Sequence, residues 1–315
     1  MKLWDPADQE ISEESFDRQV SVLENKFQEY QQHPGKIAKQ NQMWLMVGVL
    51  GIAIAILIMY FFQALFRLAF AVVFISFAPW GLFQKKVNEL QGDVVNLLIA
   101  RSHGWIYNPD PDKSRWGYLG TKFPQIFLRG DRDQYLEDQY WGSISETGKA
   151  LEFWLGIFHF TIKAGKSSVP FIKTTIAVHL PETLQNPFYL HSRTMEASMT
   201  GLFRHKAMQT ENLAFNKEFD IYTNDEDQVG AEAEAIRLIS PAVQERLLKL
   251  KADHGSFSLL FQGDVVIFSF SGALLKREYT NFFKAVALDP RDEAQHQALF
   301  SDLFGLIGGM MRFLD

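Results

Sequence analysis

The amino-acid sequence predicts an α+β protein with an N-terminal amphipathic helix, a transmembrane helical hairpin, and a strand-rich soluble α+β domain that ends in a C-terminal helix. Residues 43–83 carry a single charged side chain, Arg67, in 41 positions. From residue 123 onward, segments rich in Phe, Ile, Val, Thr and Tyr predict strands. Apolar residues at helical spacing predict a last helix at the C-terminus. The predicted domains are residues 1–42 (cytoplasmic helix and link), 43–83 (hairpin), 84–103 (juxtamembrane helix) and 104–315 (soluble domain).

The N-terminal segment, residues 1–42, has a short heptad pattern. Its apolar positions recur at spacings of 4, 3, 4 and 3, which amounts to about two heptads. This length favours an amphipathic helix that packs on the protein's own domain. The alternative is a coiled coil that makes the chain a homo-oligomer. The residues in this pattern are Phe16, Val20, Leu23, Phe27 and Tyr30.

The apolar segment is about twice as long as one membrane crossing. A helix rises about 1.5 Å per residue and needs roughly 20 apolar residues to cross the hydrocarbon core. We therefore predict two spans, 43–62 and 66–83, with Gln63 and Arg67 at the hairpin tip. The alternative is one crossing followed by an interfacial helix, because the predicted turn contains neither Gly nor Pro. A buried hairpin in a soluble protein is disfavoured, since core helices of this length keep a polar face.

The flanking lysines predict the orientation of the hairpin. Lys36 and Lys39 precede the first span, Lys85 and Lys86 follow the second, and the tip has only Arg67. Positively charged residues collect on the cytoplasmic side of membrane proteins. We therefore predict a multi-pass protein with both termini in the cytoplasm. Its second arm is predicted to continue as the juxtamembrane helix.

Composition excludes several classes of function. The chain has no cysteine, which excludes disulfides, Cys-ligated metals and thiol nucleophiles. Its net charge is −6 with no basic domain, so a nucleic-acid partner is not expected. No metal or nucleophile motif is present, and no cofactor is predicted.

The acidic cluster Asp220, Asp225, Glu226, Asp227 and Glu232 fails the spacing of a calcium loop and predicts a strand-to-helix turn. The acidic run Asp131, Asp133, Glu137 and Asp138 predicts a solvated loop.

Six strands and three helices are predicted in the soluble domain. The final strand pair flanks Gly263 and Asp264 and predicts a hairpin. Ser240 is predicted to cap the middle helix. The last helix has a broad apolar face that favours packing on its own domain, with a membrane surface or a partner's groove as the alternative. The predicted strands are 123–128, 151–164, 171–180, 218–223, 256–262 and 265–270, and the helices are 228–238, 241–251 and 293–314.

Two sequence blocks resemble a known bacterial family. Phe215, Phe219, Tyr222, Thr223 and Asp225 fit a strand of the type F-x-x-x-F-x-V-Y-S-x-D, and Glu234, Ala235, Arg237 and Pro241 fit an E-A-R-x-L-L-T-P block. Together with Tyr107 and the YWGSI run at 140–144, they resemble a membrane-protein family of unknown function, domain of unknown function 3137, over residues 104–270. The resemblance implies a bacterial inner-membrane protein with a hairpin ahead of this domain, and it brings no known activity. The site residues it implies, as structural or interaction residues, are Phe219, Tyr222, Asp225, Glu234, Arg237 and Pro241.

The sequence assigns no catalytic residue. Its leading interpretation is an inner-membrane protein whose hairpin tethers a cytoplasmic protein-interaction or scaffold module. The expected partners are the lipid bilayer and an unidentified membrane or cytoplasmic protein. The alternative is a membrane-tethered, hydrolase-like enzyme acting on an envelope or lipid substrate. A deep polar pocket that gathers His179, His191, Asp225 and Glu234 would favour this enzyme.

Overall fold

A computed structural model describes thirteen segments of the chain. They form two compact units, a helical unit that ends at Ile99 and a sheet unit that begins at Ala100. Most of the predicted N-terminal helix, and Gln63 at the predicted hairpin tip, lie outside the described residues. These residues are 21–22, 25, 28, 34–61, 66–108, 115–127, 132–146, 149–164, 167–193, 209–223, 228–272, 274 and 290–311.

The helical unit contains two long helices, α1 (Pro34–Phe61) and α2 (Phe66–Ser102). Helix α2 runs through Pro79 and joins the predicted second arm to the predicted juxtamembrane helix. Among the described residues, only Gln42–Tyr60 is long and apolar enough to cross a membrane, and 17% of that segment is buried. The apolar part of α2, Phe70–Pro79, is shorter than one crossing. This criterion therefore supports one of the two predicted spans.

Small residues bring α1 and α2 close together. A Cβ atom added to Gly48 would lie 2.6 Å from the ring of Phe77, and one added to Gly51 would overlap the side chain of Ser76. Ala55, one turn beyond Gly51, is also buried. Close approach through small residues is typical of helix pairs in membranes. The Ser76 hydroxyl donates to the Val72 carbonyl oxygen at 2.7 Å, so this polar group is satisfied within its own helix.

The sheet unit is built on eight antiparallel strands in the order β1-β2-β3-β4-β8-β7-β5-β6. The α+β class and the antiparallel sheet agree with the sequence prediction. Strands β1, β2 and β5 were not predicted. The strand bounds are β1 Ile106–Asn108, β2 Arg132–Glu146, β3 Lys149–Ala164, β4 Ser167–His179, β5 Phe188–Ser192, β6 Phe219–Thr223, β7 Phe257–Gln262 and β8 Val265–Ser271.

In the part of the chain that the structure describes, six helices accompany the sheet. They are α3 Arg115–Lys122, α4 Pro124–Phe127, α5 Leu213–Glu218, α6 Gln228–Leu238, α7 Pro241–His254 and α8 Pro290–Met311. The predicted strand 123–128 is wrong, because Pro124 begins α4 there. The amides of Ile126 and Phe127 donate to the Phe123 carbonyl oxygen, and this helical spacing puts all three side chains on one face. Ser240 is the N-cap residue of α7 and Pro241 is the first helical residue, as predicted, but the Ser240 side chain makes no capping hydrogen bond.

Side chains alternate between the two faces of the sheet, and helices pack on both. On one face, Phe127 of α4 lies against Trp154 and Phe158 of β3. On the other, Phe300 and Phe304 of α8 lie against Phe153. The predicted packing of the C-terminal helix on its own domain is thus confirmed.

The predicted solvated loop at the second acidic run is wrong in its described part. Residues 132–146 form β2, which departs from regular register at two bulges. Asp133 and Asp138 adopt positive φ angles of 57° and 50° at these irregularities, a conformation that Asp tolerates better than most residues. Asp138 is buried, and its carboxylate accepts a hydrogen bond from the Tyr107 hydroxyl at 2.6 Å. The carboxylate is therefore paired within the sheet unit instead of solvated.

Candidate functional site

Five polar residues lie side by side across five neighbouring strands, on one face of the sheet. We call them the polar row, because each is paired in register with the next residue on the adjacent strand. Side chains in such positions share a face of the sheet. Four of the five residues are at most 5% exposed, which is rare for polar residues without partners. From β4 through β8, β7 and β5 to β6, the row is Thr175, Ser269, Ser258, His191 and Asp220.

Hydrogen bonds connect part of this row. His191 Nδ1 lies 2.8 Å from Ser258 Oγ and 3.2 Å from the Tyr189 hydroxyl. At the end of the row, Arg193 contacts Asp220 Oδ1 through Nη2 at 2.6 Å and Nε at 3.0 Å. This hydrogen bond raises the pKa of Arg193. Burial, followed by the charge of Asp220, raises the pKa of Tyr222, the next residue of β6 on this face.

The geometry of the row does not support nucleophilic catalysis. A serine within hydrogen-bonding reach of a histidine satisfies one requirement of an activated nucleophile. However, Ser258 is only 1% exposed, so a substrate does not reach its Oγ. Thr175 Oγ1 and Ser269 Oγ are buried without a hydrogen bond to any described residue. Each such hydroxyl costs about 1–3 kcal/mol of desolvation.

A second feature is an open cleft between α7 and α8, with a volume of about 300 Å³. Asp302 in its lining contacts two basic side chains of α7. Lys249 Nζ lies 3.2 Å from Asp302 Oδ1, and His254 Nε2 lies 3.3 Å from Asp302 Oδ2. The hydrogen bond that Lys249 donates to Asp302 is the main cause that raises the pKa of Lys249. These pairs join the two helices, and the cleft is a surface feature instead of a deep pocket. It is lined by Arg246, Lys249, Leu250, Ser301, Asp302, Gly305 and Leu306.

The described residues contain no candidate metal centre, since no three His, Asp or Glu side chains converge there. The described residues named for the enzyme alternative, His179, His191 and Glu234, also do not converge. His179 lies 3.7 Å from Asp264, whereas the Glu234 carboxylate accepts the Asn186 amide at 2.9 Å. From the strand order and register, His191 lies three strands and several residues away from His179, a separation of roughly 20 Å.

The C-terminal part of the chain matches a family model. Residues 171–309, which run from β4 into α8, match the family described as "Protein of unknown function (DUF3137)". The family resemblance predicted from the sequence is confirmed. The matched range begins later than the predicted range of 104–270 and extends further, into the C-terminal helix. The description of DUF3137 states no activity.

One solved structure resembles the chain. It is the crystal structure of the mycobacterial trehalose monomycolate transport factor A, TtfA, at 12% sequence identity and a TM-score of 0.31. The similarity covers 67% of this chain and 95% of that one. No curated protein sequence matches the chain.

The DUF3137 motif residues take different positions in the fold. Phe219 is buried at the start of β6, with its ring 4.9 Å from Phe215 and 5.5 Å from Phe257. Glu234 of α6 binds the backbone just before β5. Arg237 and Pro241 are exposed. Asp225 lies outside the described residues, and Arg67 lies in the first turn of α2.

Lys251 of α7 binds Glu218, the residue at which α5 ends and after which β6 begins with the motif residue Phe219. Its Nζ donates to Glu218 Oε2 at 2.6 Å and to the Glu218 carbonyl oxygen at 3.2 Å. The ammonium group also lies 5.2 Å from the centre of the Phe219 ring. The Lys251 hydrogen bond is the main cause that lowers the pKa of Glu218.

Lys251→Met removes the ion pair with Glu218, so we expect it to lower the free energy of unfolding at neutral pH. The expected loss is only about 1 kcal/mol, because the Glu218 carboxylate is half exposed and solvent weakens the pair. A lowered folded-state pKa stabilises the protein above the ordinary value of 4.5. This stabilisation is lost as pH falls through the folded-state pKa. In denaturant titrations of the full chain in detergent, the difference between wild type and variant should shrink below this pH. The control is Lys217→Met, at an exposed position of α5. If the difference between Lys251→Met and wild type does not depend on pH, the prediction is contradicted.

Sequence reasoning missed Thr175, Ser258 and Ser269 of the polar row. One signal was present: the predicted hairpin about Gly263 and Asp264 already pairs residue 258 with residue 269. Thr175 and His191 join the row only through the pairing of β4 with β8 and of β5 with β7. These pairings bring together segments far apart in the chain, and local patterns do not determine them.

Proposed function

We propose that the chain is an integral protein of a bacterial inner membrane, in which α1 and α2 anchor the sheet unit as a binding module. The observation that carries the proposal is the surface of α1. Its large apolar side chains are exposed along the whole span, as expected for a helix that contacts lipid. They include Met46 at 68%, Leu50 at 61% and Leu57 at 55% exposed.

The contacts between α1 and α2 support two crossings over one crossing with an interfacial arm. Phe77 and Ser76 of α2 lie against Gly48 and Gly51, inside the apolar span of α1. At this contact the apolar arm of α2 lies against the span of α1. Its exposed side chains are also apolar and include Phe74 at 74% and Ile75 at 72%. With the positive-inside bias, we place both termini in the cytoplasm.

We assign the sheet unit a binding role, with the α7/α8 cleft as its contact surface. The cleft has buried Leu250 and Leu306 in its lining and charged Arg246 and Lys249 at its rim. An apolar floor with a polar rim is typical of protein interfaces. The hydrolase alternative lacks comparable support, because its candidate residues are dispersed and Ser258 is buried. In this proposal Phe219 and Glu234 stabilise the domain and contact no ligand.

The topology is tested by cysteine labelling, because the chain has no native cysteine. Single-cysteine variants at Gln40, Gln63 and Glu245 are treated with a membrane-impermeant maleimide. We expect Gln63→Cys to react in intact cells, and Gln40→Cys and Glu245→Cys only after permeabilisation. Opposite labelling of Gln40→Cys and Glu245→Cys contradicts the hairpin, and extraction of the protein by alkaline carbonate contradicts membrane anchoring.

The binding role is tested in the same cells by a photo-crosslinking amino acid at Ser301, an exposed residue of the cleft. The control places the same amino acid at exposed Glu152 of β3. We expect a defined partner to crosslink from Ser301 and not from Glu152. Crosslinks only to the protein itself, or equal products from both positions, contradict the binding role.

A further inference from the structure

We propose that the α7/α8 cleft binds a carboxylate side chain, an Asp or Glu of the partner protein, and that Arg246 is the residue that anchors it. The inference rests on the proposed binding role of the cleft and adds the chemistry of the partner to it. It depends on how Arg246 is held, which differs from the other two charged residues in the lining.

The guanidinium of Arg246 reaches from α7 to α8 and is held there by the backbone. Its Nη1 donates to the carbonyl oxygen of Gly305. One helical turn further along α8, a Cβ added to Gly309 would lie 3.0 Å from Nη1 and 3.7 Å from Cζ. The glycine therefore leaves the space that the guanidinium occupies, and the Arg246 side chain is fixed between the two helices.

The charge of Arg246 is not compensated by a carboxylate of the cleft. Asp302 instead contacts Lys249 at 3.2 Å and His254 at 3.3 Å. Lys249 also contacts Asp253 at 3.4 Å. Within the described part of the chain, Arg246 contacts a neutral backbone carbonyl and no carboxylate. The cleft thus has a cation that is ordered but not neutralised.

The exposed groups of the cleft favour a charged partner group over an apolar one. Leu250 and Leu306 are only 2% and 1% exposed, so a partner buries little further apolar surface against them. Arg246, Lys249 and Ser301 are exposed. A guanidinium presents its N–H donors in a planar fork that matches a carboxylate, and the bond to α8 uses only one of these donors.

The fixed position of Arg246 strengthens the expected binding. An arginine that becomes ordered only when its partner arrives loses side-chain entropy on binding. Arg246 is already ordered by its bond to Gly305, so this loss belongs to folding and not to binding. For an ion pair at an exposed site, we expect the charge of the partner group to change the Kd by about fivefold.

The first experiment titrates the full chain in detergent with two capped dipeptide amides, leucyl-glutamate and leucyl-glutamine, which have nearly the same shape and differ in charge. Saturation-transfer NMR observes the signals of the dipeptide and serves every variant equally. We expect the wild type to bind the glutamate dipeptide about fivefold more tightly than the glutamine dipeptide, with a smaller difference at high salt.

Two variants separate the charge of Arg246 from its position. Arg246→Gln removes the charge and should abolish the preference for glutamate. Gly309→Ala keeps the charge but places a Cβ 3.0 Å from Nη1, so we expect a smaller preference. Alanine favours a helix more than glycine does, so this variant should fold normally. The control is Lys217→Gln, at an exposed position of α5, which should keep the full preference.

The second experiment repeats the photo-crosslinking from Ser301 in cells that carry these variants. We expect Arg246→Gln to reduce the crosslink to the partner by about fivefold and Lys217→Gln to leave it unchanged.

Equal binding of both dipeptides by the wild type, or a partner crosslink that Arg246→Gln does not reduce, overturns the inference while the binding role stands. A full preference in Gly309→Ala overturns the anchoring of Arg246 by α8. Displacement of the glutamate dipeptide by a lower concentration of inorganic phosphate, but not by chloride of the same ionic strength, assigns the site to phosphorylated ligands and also overturns the inference. Absence of any partner crosslink from Ser301 in the wild type overturns the binding role itself, and the inference with it.

Discussion

Replacement of Phe257 by alanine is expected to lower the free energy of unfolding of the sheet unit by about 3–5 kcal/mol. Phe257 is 2% exposed at the start of β7. Its ring centre lies 5.5 Å from that of Phe219 and 5.2 Å from that of Phe270. The substitution removes an aromatic ring that packs against both β6 and β8, and it leaves a cavity that the strands on both sides do not close. Domains of this kind have about 5–15 kcal/mol of stability in total, so the expected loss is a large fraction.

The measurement is a denaturant titration of the full chain in detergent, followed by circular dichroism of the sheet. The matched control is Ile236→Ala on α6, where the side chain is 60% exposed and the expected change is within about 0.5 kcal/mol. Similar losses from both variants would show that Phe257 does not lie in the core. A large loss from Ile236→Ala alone would show that α6 buries the opposite face.

Elements with a strong local pattern were predicted correctly from the sequence. Helix α6 has the predicted bounds, because its period and its flanking segments are local features. The β7/β8 hairpin was predicted from Gly263 and Asp264, and Gly263 has a φ angle of 62° in the turn. In both cases, the residues that determine the structure lie within one turn or one strand of each other.

Strand β2 could not be predicted, because its charged residues resemble a loop in sequence. The acidic side chains are accommodated by tertiary contacts: Asp138 accepts the Tyr107 hydroxyl, and Glu137 lies 2.6 Å from His159 of β3. Strand β5 is five residues long and follows Pro187, so no periodicity marks it. It is stabilised between β6 and β7, whose positions only the complete fold provides.

The candidate site was predictable to a similar degree. The family motif named Phe219 and Glu234 together as structural or interaction residues, and only the structure distinguishes a core aromatic from a residue that binds the Asn186 backbone. The polar row depends on the register of four strand pairs, and a shift of one residue in any of them would turn its side chains to the other face. No sequence pattern therefore indicates that its two serines and its threonine lie next to one another.

Replacement of Gly51 by leucine is expected to separate α1 from α2. Any Cβ at this position overlaps the Oγ and Cβ atoms of Ser76, and a leucine adds three more carbons to the same space. Overpacking of this kind costs about 1–3 kcal/mol even when neighbours relax. Relaxation is limited here, because one of the two overlapped atoms is the Cβ of Ser76, whose position is fixed by its helix backbone. The helices must therefore move apart, and the contact at Gly48 is lost as well.

Crosslinking between the two helices measures this separation in the membrane. Ala55→Cys and Val72→Cys lie one turn from Gly51 and Ser76 on the same helix faces, so a short bifunctional thiol reagent should join them in the otherwise cysteine-free chain. We expect Gly51→Leu to reduce the crosslinking rate by about fivefold or more. The control is Ala53→Leu, which adds bulk to an exposed position of the same helix and should leave the rate unchanged. Equal rates in all three backgrounds would show that the helix pair does not depend on this contact.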